Sequence, residues 1–270
     1  MNAHDTPAET FHHLHRDGLL TLANVWDAGS ARLIEALGAA AIATTSAGVA
    51  WSHGCADGER LPVARLLATV TAICRAVSVP VTVDIEGGYA DDPAGVASTV
   101  AAVIDAGAVG INIEDGSAAP DMLCAKIAAA RQTAERCGVA LFINARTDVV
   151  LRALAPAEAA VDAILARATR YRDAGADGLF VPGLVERDAI AAVAAGTPLR
   201  LNVMARPGLP KRVELAALGV RRLSAGSAFS ETLYGQLAAQ AADFFADGSI
   251  PAVAEGYGYT ELNSMFATAD

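Results

Sequence analysis

The chain has 270 residues, of which 53% are hydrophobic and only 5% aromatic, which predicts a globular enzyme with a core of Ala, Val, Leu and Ile. A formal charge of −10 without any Lys/Arg run argues against a nucleic-acid partner. The four cysteines are far apart without a CxxC pair, and no apolar run reaches the roughly 18 residues needed to cross a bilayer, so we expect a cytoplasmic protein that contacts no membrane.

Short apolar runs alternate with Ala-rich amphipathic segments along the chain. After a short helix at residues 8–16, we predict strands at residues 20–25, 40–45, 79–84, 110–114, 140–145, 178–182, 199–203 and 222–225. Helices are predicted at residues 27–37, 93–106, 121–137, 158–174 and 210–218. Each of these helices is followed by Gly, which commonly ends a helix.

Eight strands in alternation with helices predict an α/β fold, a closed (β/α)8 TIM barrel. No linker or change of composition divides the chain, so we expect one domain over residues 1–270, with a short N-terminal helix and a helical C-terminal extension. That extension packs either on a neighbouring subunit or on its own barrel. The alternative fold is a doubly wound open sheet, which more usually carries a GxGxxG turn after its first strand; this turn is absent.

Carboxylates follow two successive predicted strands at the point where each apolar run stops. Asp84 and Glu86 close one run, and Glu114 closes the next. Because the carboxyl ends of parallel strands lie at one rim, these side chains are predicted to converge, and such oxygen ligands suit Mg²⁺ or Mn²⁺. Asp57, in the long connection at residues 48–61, could contact the waters of this ion. The alternative is that each acid caps a helix or lies in a solvated loop.

The second predicted strand leads into Thr45, Ser46, Ala47 and Gly48. The Ser46 hydroxyl and the backbone N–H groups that follow would form a cradle for a substrate carboxylate, because small residues let a ligand approach the main chain. The alternative is a Ser/Thr turn that merely ends the strand.

Three further side chains are candidates for catalysis or substrate binding. Arg146 ends the fifth strand, where it either donates to a substrate oxyanion or pairs with Glu114 or Asp148. Asn202, near the end of the seventh strand, is a neutral donor for a carboxylate. His53, in the long connection, could carry a proton, and a solvated surface histidine is the alternative.

Several motifs, spread over nearly the whole chain, resemble those of one enzyme superfamily. They are TTSAG at residues 44–48, ADG at 56–58, DIEGGY at 84–89, IED at 113–115, NARTD at 144–148, AGADGLFVP at 174–182, LNV at 201–203 and LSAG at 223–226. In this order they resemble the small phosphonomutase-like members of the isocitrate lyase/phosphoenolpyruvate mutase superfamily.

This resemblance implies a (β/α)8 barrel with a C-terminal helix exchanged between the subunits of a homodimer or homotetramer. It implies a small 2-oxo carboxylate as ligand, bound to a Mg²⁺ that is held largely through waters by Asp57, Asp84, Glu86 and Glu114. Members make or break a C–C or P–C bond next to that carboxylate, through an enolate that the metal and the arginine matching Arg146 stabilise. Asp57 and Arg146 are therefore catalytic candidates beside His53.

One loop of the superfamily's lyases is missing from this chain. Those lyases carry a Lys-Lys/Arg-Cys-Gly-His loop after the fourth strand, whose thiol acts as an acid, whereas residues 115–125 are DGSAAPDMLCA. Cys124 lies within a helical pattern, which predicts a buried structural thiol. Classical isocitrate or methylisocitrate cleavage is therefore not expected.

Three functions follow from these observations. The first is a Mg²⁺-dependent lyase or decarboxylase that acts on a small 2-oxo or 2-hydroxy carboxylate through an enolate. The second is phosphoenolpyruvate mutase or phosphonopyruvate hydrolase activity, which needs an anion pocket that Arg206, Lys211 or Ser227 would supply. The third is a barrel that binds a 2-oxo acid without turnover.

Overall fold

The protein is a barrel of parallel strands surrounded by helices, and the computed structural model describes residues 5–250 and 256–267. The strands are β1 Leu20–Leu22, β2 Asn24–Val25, β3 Ile42–Thr44, β4 Val81–Asp84, β5 Gly110–Glu114, β6 Phe142–Arg146, β7 Gly178–Phe180, β8 Arg200–Met204 and β9 Arg222–Ser224. They are hydrogen-bonded in the order β1-β9-β8-β7-β6-β5-β4-β3-β2. The predicted α/β barrel is confirmed.

The barrel has a ninth strand because the predicted first strand divides at Ala23. β1 pairs with β9 and β2 pairs with β3, so the two halves share one place in the barrel and nearly close it. Asn24 bridges the joint, since its Oδ1 accepts from the backbone N–H groups of Ala225 and Gly226, both at 2.9 Å. Its Nδ2 donates to the Thr44 carbonyl at 2.8 Å. The prediction of one continuous strand at residues 20–25 differs from the structure in this respect.

The helices begin and end where local chemistry favours it. They are α1 Pro7–Leu14, α2 Ala28–Ala36, α3 Ser46–Ser52, α4 Val63–Ala76, α5 Pro93–Asp105, α6 Pro120–Arg136, α7 Ala160–Asp173, α8 Arg187–Gly196, α9 Arg212–Ala217, α10 Ala228–Asp247 and α11 Tyr259–Phe266. The carboxylates of Asp27 and Asp92 accept backbone N–H groups in the first turns of α2 and α5. Leu66, Val70 and Ile73 form one buried face of α4.

Helix α1 closes the N-terminal end of the barrel. Phe11 and His15 are buried there, and both rings pack on Phe142, with centroid distances of 5.5 Å and 4.0 Å. Burial lowers the pKa of His15 to about 3, so its ring is neutral. The candidate site therefore lies at the opposite, C-terminal end of the strands.

Two segments differ from the prediction or go beyond it. Residues Ser46–Ser52 form α3, so the connection predicted as a loop from residue 48 begins as a helix. The C-terminal extension contains the 20-residue helix α10, in which only Ser230 is buried. The exchange of a helix between the subunits of a homodimer or homotetramer stays a prediction. The parts of the predicted domain at residues 1–4, 251–255 and 268–270 lie outside the described residues. None of the described helices is long and apolar enough to span a membrane.

Candidate active site at the barrel rim

The strand ends bring four charged side chains to one rim. In the register of the barrel, Asp84 pairs with Asn112, and Glu114 on β5 pairs with Arg146 on β6. The chain then turns so that the backbone N–H of Glu86 donates to Asp84 Oδ1 at 3.0 Å. The Glu86 carbonyl accepts from the Glu114 N–H at 2.9 Å. The structure therefore brings together the three carboxylates that were predicted to converge.

Glu59 and Tyr89, to which the sequence assigned no role, complete the carboxylate cluster. The Glu59 N–H donates to Glu86 Oε2 at 2.6 Å, and the Tyr89 hydroxyl donates to Glu86 Oε1 at 2.8 Å. Glu59 Oε1 accepts in turn from the Tyr89 N–H at 2.7 Å. Glu59, Glu86 and Tyr89 have φ values of 58°, 51° and 56°. Such values are uncommon in residues other than glycine and often mark functional sites.

Arg146 pairs with carboxylates on two sides. Its Nη1 lies 2.6 Å from Glu114 Oε2, and its Nε and Nη2 donate to the two oxygens of buried Asp148 at 2.8 and 3.2 Å. Burial alone would lower the pKa of Arg146, but Glu114 and Asp148 outweigh it and raise the pKa, so the group stays charged. A guanidinium has five N–H groups, so two remain for a ligand at the rim.

The carboxylates outnumber the cations at this rim. Burial raises the pKa of Asp84, Glu86 and Glu114. For Glu114 the pKa rises to about 8, because burial and the nearby charges of Asp84, Asp148 and Glu86 outweigh the attraction of Arg146. A bound cation would relieve this repulsion.

The arrangement of the carboxylates fits a hydrated ion. Among residues 5–250 and 256–267, no group of three His, Cys, Asp or Glu side chains is placed to bind one ion directly. The oxygens of Glu86 and Glu114 instead accept hydrogen bonds from Glu59, Tyr89 and Arg146. Mg²⁺ dehydrates reluctantly and is usually bound by one or two carboxylates and several waters. The donor set therefore suits Mg²⁺ or Mn²⁺ held partly through water.

The small residues after β3 form the start of α3. Thr45 is the N-cap, so the N–H groups of Ser46, Ala47 and Gly48 belong to a first helical turn, which has no acceptors of its own. These donors fit the predicted carboxylate cradle. A Cβ on Gly48 would lie 2.6 Å from Thr45 Cγ2 and 3.2 Å from Ser230 Oγ. Glycine at this position therefore also allows α10 to pack closely against α3.

Asp57 and His53 follow α3 but have different surroundings. Burial raises the pKa of Asp84 and Glu86, and the charge of Asp57 adds to the rise in both, so Asp57 lies close enough to repel these carboxylates. The His53 ring nitrogen Nε2 lies 2.9 Å from Thr69 Oγ1 on α4. The structure therefore brings Asp57 to the cluster, whereas His53 bonds to a neighbouring helix.

Asn202 lies inside the barrel and is fully buried. Its Oδ1 accepts from Asn144 Nδ2 at 3.0 Å, and its Nδ2 donates to the Val203 carbonyl at 2.8 Å and to Ser224 Oγ at 3.1 Å. Both ends of the amide are engaged, so the structure does not present Asn202 to a ligand at the rim.

Asp115, next to Glu114 in sequence, joins structural elements. Its Oδ2 pairs with Arg167 and accepts from the Tyr171 hydroxyl at 2.6 Å, while its Oδ1 accepts from the Asp148 N–H at 2.9 Å. The Asp115 side chain is fully buried. It therefore ties the end of β5 to the loop after β6 and to α7.

A cavity of about 220 Å³ lies beside Glu86 and Glu114. The loops after β4 and β5 and the first turns of α6 line it. Lys126 on α6 also lines this cavity, and its Nζ donates to the Gly87 carbonyl at 2.7 Å. The cavity is smaller than the usual site for a drug-sized ligand, and it suits a small carboxylic acid.

Cys124, Ser227, Lys211 and Arg206 are the other groups that the sequence singled out. Burial raises the pKa of the Cys124 thiol, which is the opposite of what an acid-base thiol needs. The Ser227 hydroxyl donates to Glu231 Oε1 at 2.5 Å, and Lys211 is exposed before α9. Arg206 is exposed as well, so none of the three residues predicted to bind a second anion is buried.

Comparison with known proteins shows which proteins this chain is similar to. Residues 11–245 match the phosphoenolpyruvate phosphomutase family. An uncharacterized protein of Mycobacterium tuberculosis is 40% identical over 246 residues, which are 88% of this chain and 90% of that protein. An oxaloacetate decarboxylase of Bradyrhizobium is 32% identical over 214 residues, 74% of this chain and 70% of the enzyme. The crystal structure of a candidate phosphonomutase from Burkholderia cenocepacia is 46% identical with a TM-score of 0.84, and the match covers 88% of this chain and 100% of that one.

Proposed function

The chain belongs to the phosphoenolpyruvate phosphomutase family, and from that membership we propose that it is a Mg²⁺-dependent lyase or decarboxylase of a small 2-oxo carboxylate. The observation that carries this proposal is the rim geometry: Asp84, Glu86 and Glu114 lie together at the ends of β4 and β5, with Arg146 at 2.6 Å from Glu114. Mn²⁺ has the same preference for oxygen ligands and would replace Mg²⁺.

Oxaloacetate is the substrate that we favour among small 2-oxo carboxylates. Its C3–C4 bond would break, CO₂ would leave, and the electron pair would stay on C3 as the enolate of pyruvate, which then takes a proton from solvent. A bound divalent ion supplies polarisation of the 2-oxo group and offsets the negative charge that develops on its oxygen. The oxaloacetate decarboxylase of Bradyrhizobium, at 32% identity, supports this choice.

The chain's own residues have separate tasks in this proposal. Arg146 directs its two remaining N–H groups at the developing oxyanion, since Glu114 and Asp148 hold the rest of the guanidinium in place. The N–H groups of Ser46 and the residues after it bind the carboxylate that is not lost. With no activated thiol at Cys124, the final proton comes from solvent.

Cleavage of a P–C bond is the second candidate function. The 46% identity to a candidate phosphonomutase favours it, whereas the Ser227 hydroxyl already donates to Glu231 and Lys211 is exposed, which does not favour a phosphonate site there. A third candidate is a protein that binds a 2-oxo acid without turnover. The missing acid loop is the reason to consider it.

A panel of substrates tests these candidates together. The purified protein with Mg²⁺ is incubated with oxaloacetate, dimethylmalate, isocitrate, methylisocitrate or phosphonopyruvate, while pyruvate, glyoxylate and phosphate release are measured with and without EDTA. We expect EDTA-sensitive release of pyruvate from oxaloacetate, at a rate above that of the same Mg²⁺ without protein. Phosphate release from phosphonopyruvate alone would reject the lyase and support P–C bond cleavage. Tight binding of a 2-oxo acid with no product would support a binding protein without turnover.

A further inference from the structure

Arg222 on β9 places a guanidinium inside the barrel, below the rim. The residue is 1% exposed. Its Nη2 donates to Asn112 Oδ1 at 3.1 Å, whereas its Nε and Nη1 have no hydrogen-bond partner within the part of the chain that the structure describes. Burial lowers the pKa of Arg222 to about 9, so the group is still cationic at neutral pH.

A buried cation with few partners lowers the stability of a fold. Removing a charge from water costs several kcal/mol unless ion pairs and hydrogen bonds offset it, and no carboxylate among the described residues lies within ion-pair distance of Arg222. An apolar side chain would fill this part of the core at less cost. The hydrogen bond to Asn112 therefore needs an explanation other than stability.

Asn112 connects Arg222 to the carboxylate cluster. Its Oδ1 accepts from Arg222 and also from Asn144 Nδ2 at 2.9 Å, while its own Nδ2 lies 3.5 Å from Asp84 Oδ2. A guanidinium can only donate, so it fixes which end of the amide faces the lumen. The N–H end must then face Asp84. In the flipped orientation, the amide oxygen would face the carboxylate and repel it.

Asp84 is thereby held from both sides. Its Oδ1 accepts from the Glu86 N–H at 3.0 Å, and its Oδ2 faces the Asn112 amide. A carboxylate held in this way keeps one orientation toward the rim. Such partners behind the residues that bind a metal typically change metal affinity or activity 10–100-fold when they are removed.

We propose that Arg222 is a positioning residue of the candidate metal site, and that it acts through Asn112 on Asp84. The inference rests on the proposed function, since it takes Asp84 to be one of the groups that hold the ion. It adds a residue from the last strand, on the far side of the barrel from β5, to the machinery of the site.

The test is the Mn²⁺ dissociation constant of EDTA-treated protein, measured by electron paramagnetic resonance of free Mn²⁺. We expect Arg222→Met and Asn112→Leu each to weaken Mn²⁺ binding about tenfold or more. The double variant should bind no more weakly than either single variant, because both changes break one chain of contacts. Arg222→Lys, which can still donate to Asn112, should bind more tightly than Arg222→Met.

Loss of stability alone is controlled by Ile190→Ala, which opens a cavity where α8 packs on the barrel. This variant should be less stable yet bind Mn²⁺ as the wild type does. A folded Arg222→Met protein with unchanged Mn²⁺ affinity would overturn the inference. If Arg222→Met does not fold, unchanged affinity of Asn112→Leu has the same meaning. Absence of Mn²⁺ binding by the wild type would instead refute the metal site itself, and this inference with it.

Discussion

Glu114 and Arg146 are register partners at the ends of β5 and β6, with Oε2 and Nη1 2.6 Å apart. The same guanidinium also donates two hydrogen bonds to Asp148. Arg146 is thus fixed by its neighbours before any ligand arrives, and the remaining N–H groups need little reorganisation to stabilise a developing oxyanion.

Replacement of Arg146 by Lys should lower kcat for the preferred substrate about 10²–10³-fold, as observed when one oxyanion donor is removed. Lysine keeps the charge, but it lacks the planar guanidinium that can donate to Asp148 and to a ligand at the same time. Steady-state kinetics at saturating Mg²⁺ measure the effect. Arg170→Lys, at an exposed ion pair with Asp121, is the matched control and should keep wild-type kcat. Equal kcat of both variants would show that Arg146 has no role in the chemical step.

Stability without metal should fall as the pH rises from about 5 to 8. The pKa of Glu114 is raised from its ordinary value of 4.5 to about 8, so the folded state binds this proton more tightly than the unfolded state does. The proton's contribution is complete below pH 4.5 and is lost through pH 8, at about 1.4 kcal/mol for each pKa unit of the shift.

Thermal unfolding in EDTA measures this dependence, and Glu114→Gln should flatten it. Mg²⁺ has to displace the same proton, so its affinity should rise over the same pH range. A Tm that is as pH-dependent in Glu114→Gln as in the wild type would show that another group is responsible.

Asp115 is adjacent to Glu114, but its loss should lower the stability of the fold and leave metal binding intact. Asp115→Asn leaves the partly buried Arg167 without its counter-charge and should destabilise the fold by about 3 kcal/mol, while Tyr171→Phe removes one hydrogen bond and should cost about 1 kcal/mol. Urea unfolding gives both values. The folded variants should retain Mn²⁺ binding; its selective loss in Asp115→Asn would assign Asp115 to the metal site.

The barrel and part of its site could be predicted because both leave local signals. Asp84 and Glu114 end apolar runs, and the ends of parallel strands must share a rim. The break at Ala23 could not be predicted, since it follows from closure of the barrel by strands distant in sequence. Glu59 joins the cluster through a backbone with positive φ. This conformation is uncommon for Glu, so the residue type does not predict it. Asn112 looks like a polar interruption of a strand until its partners inside the barrel are known.

We also propose that α10 mediates the assembly of a homodimer or homotetramer. Leu233 and Leu237 on this helix are 50% and 59% exposed, and Phe245 is 85% exposed, which leaves one apolar face of a long helix in water. Leu237→Asp should dissociate the oligomer in light scattering after gel filtration. Leu37→Asp, at an exposed leucine directly after α2, should not. A monomeric wild type at micromolar concentration would contradict this assignment.

A metal site at Asp84 is tested by the rate of pyruvate formation from oxaloacetate. The wild type and Asp84→Asn are both freed of metal with EDTA and then given equal Mg²⁺. Equal Mg²⁺ matters because the free ion itself promotes decarboxylation of oxaloacetate. We predict that Mg²⁺ restores turnover to the wild type, whereas Asp84→Asn stays at the rate of Mg²⁺ without protein. Asp84→Asn should nevertheless be folded and at least as stable in EDTA, because a buried charge is gone. Equal Mg²⁺-dependent turnover by the two proteins would contradict a metal site at Asp84.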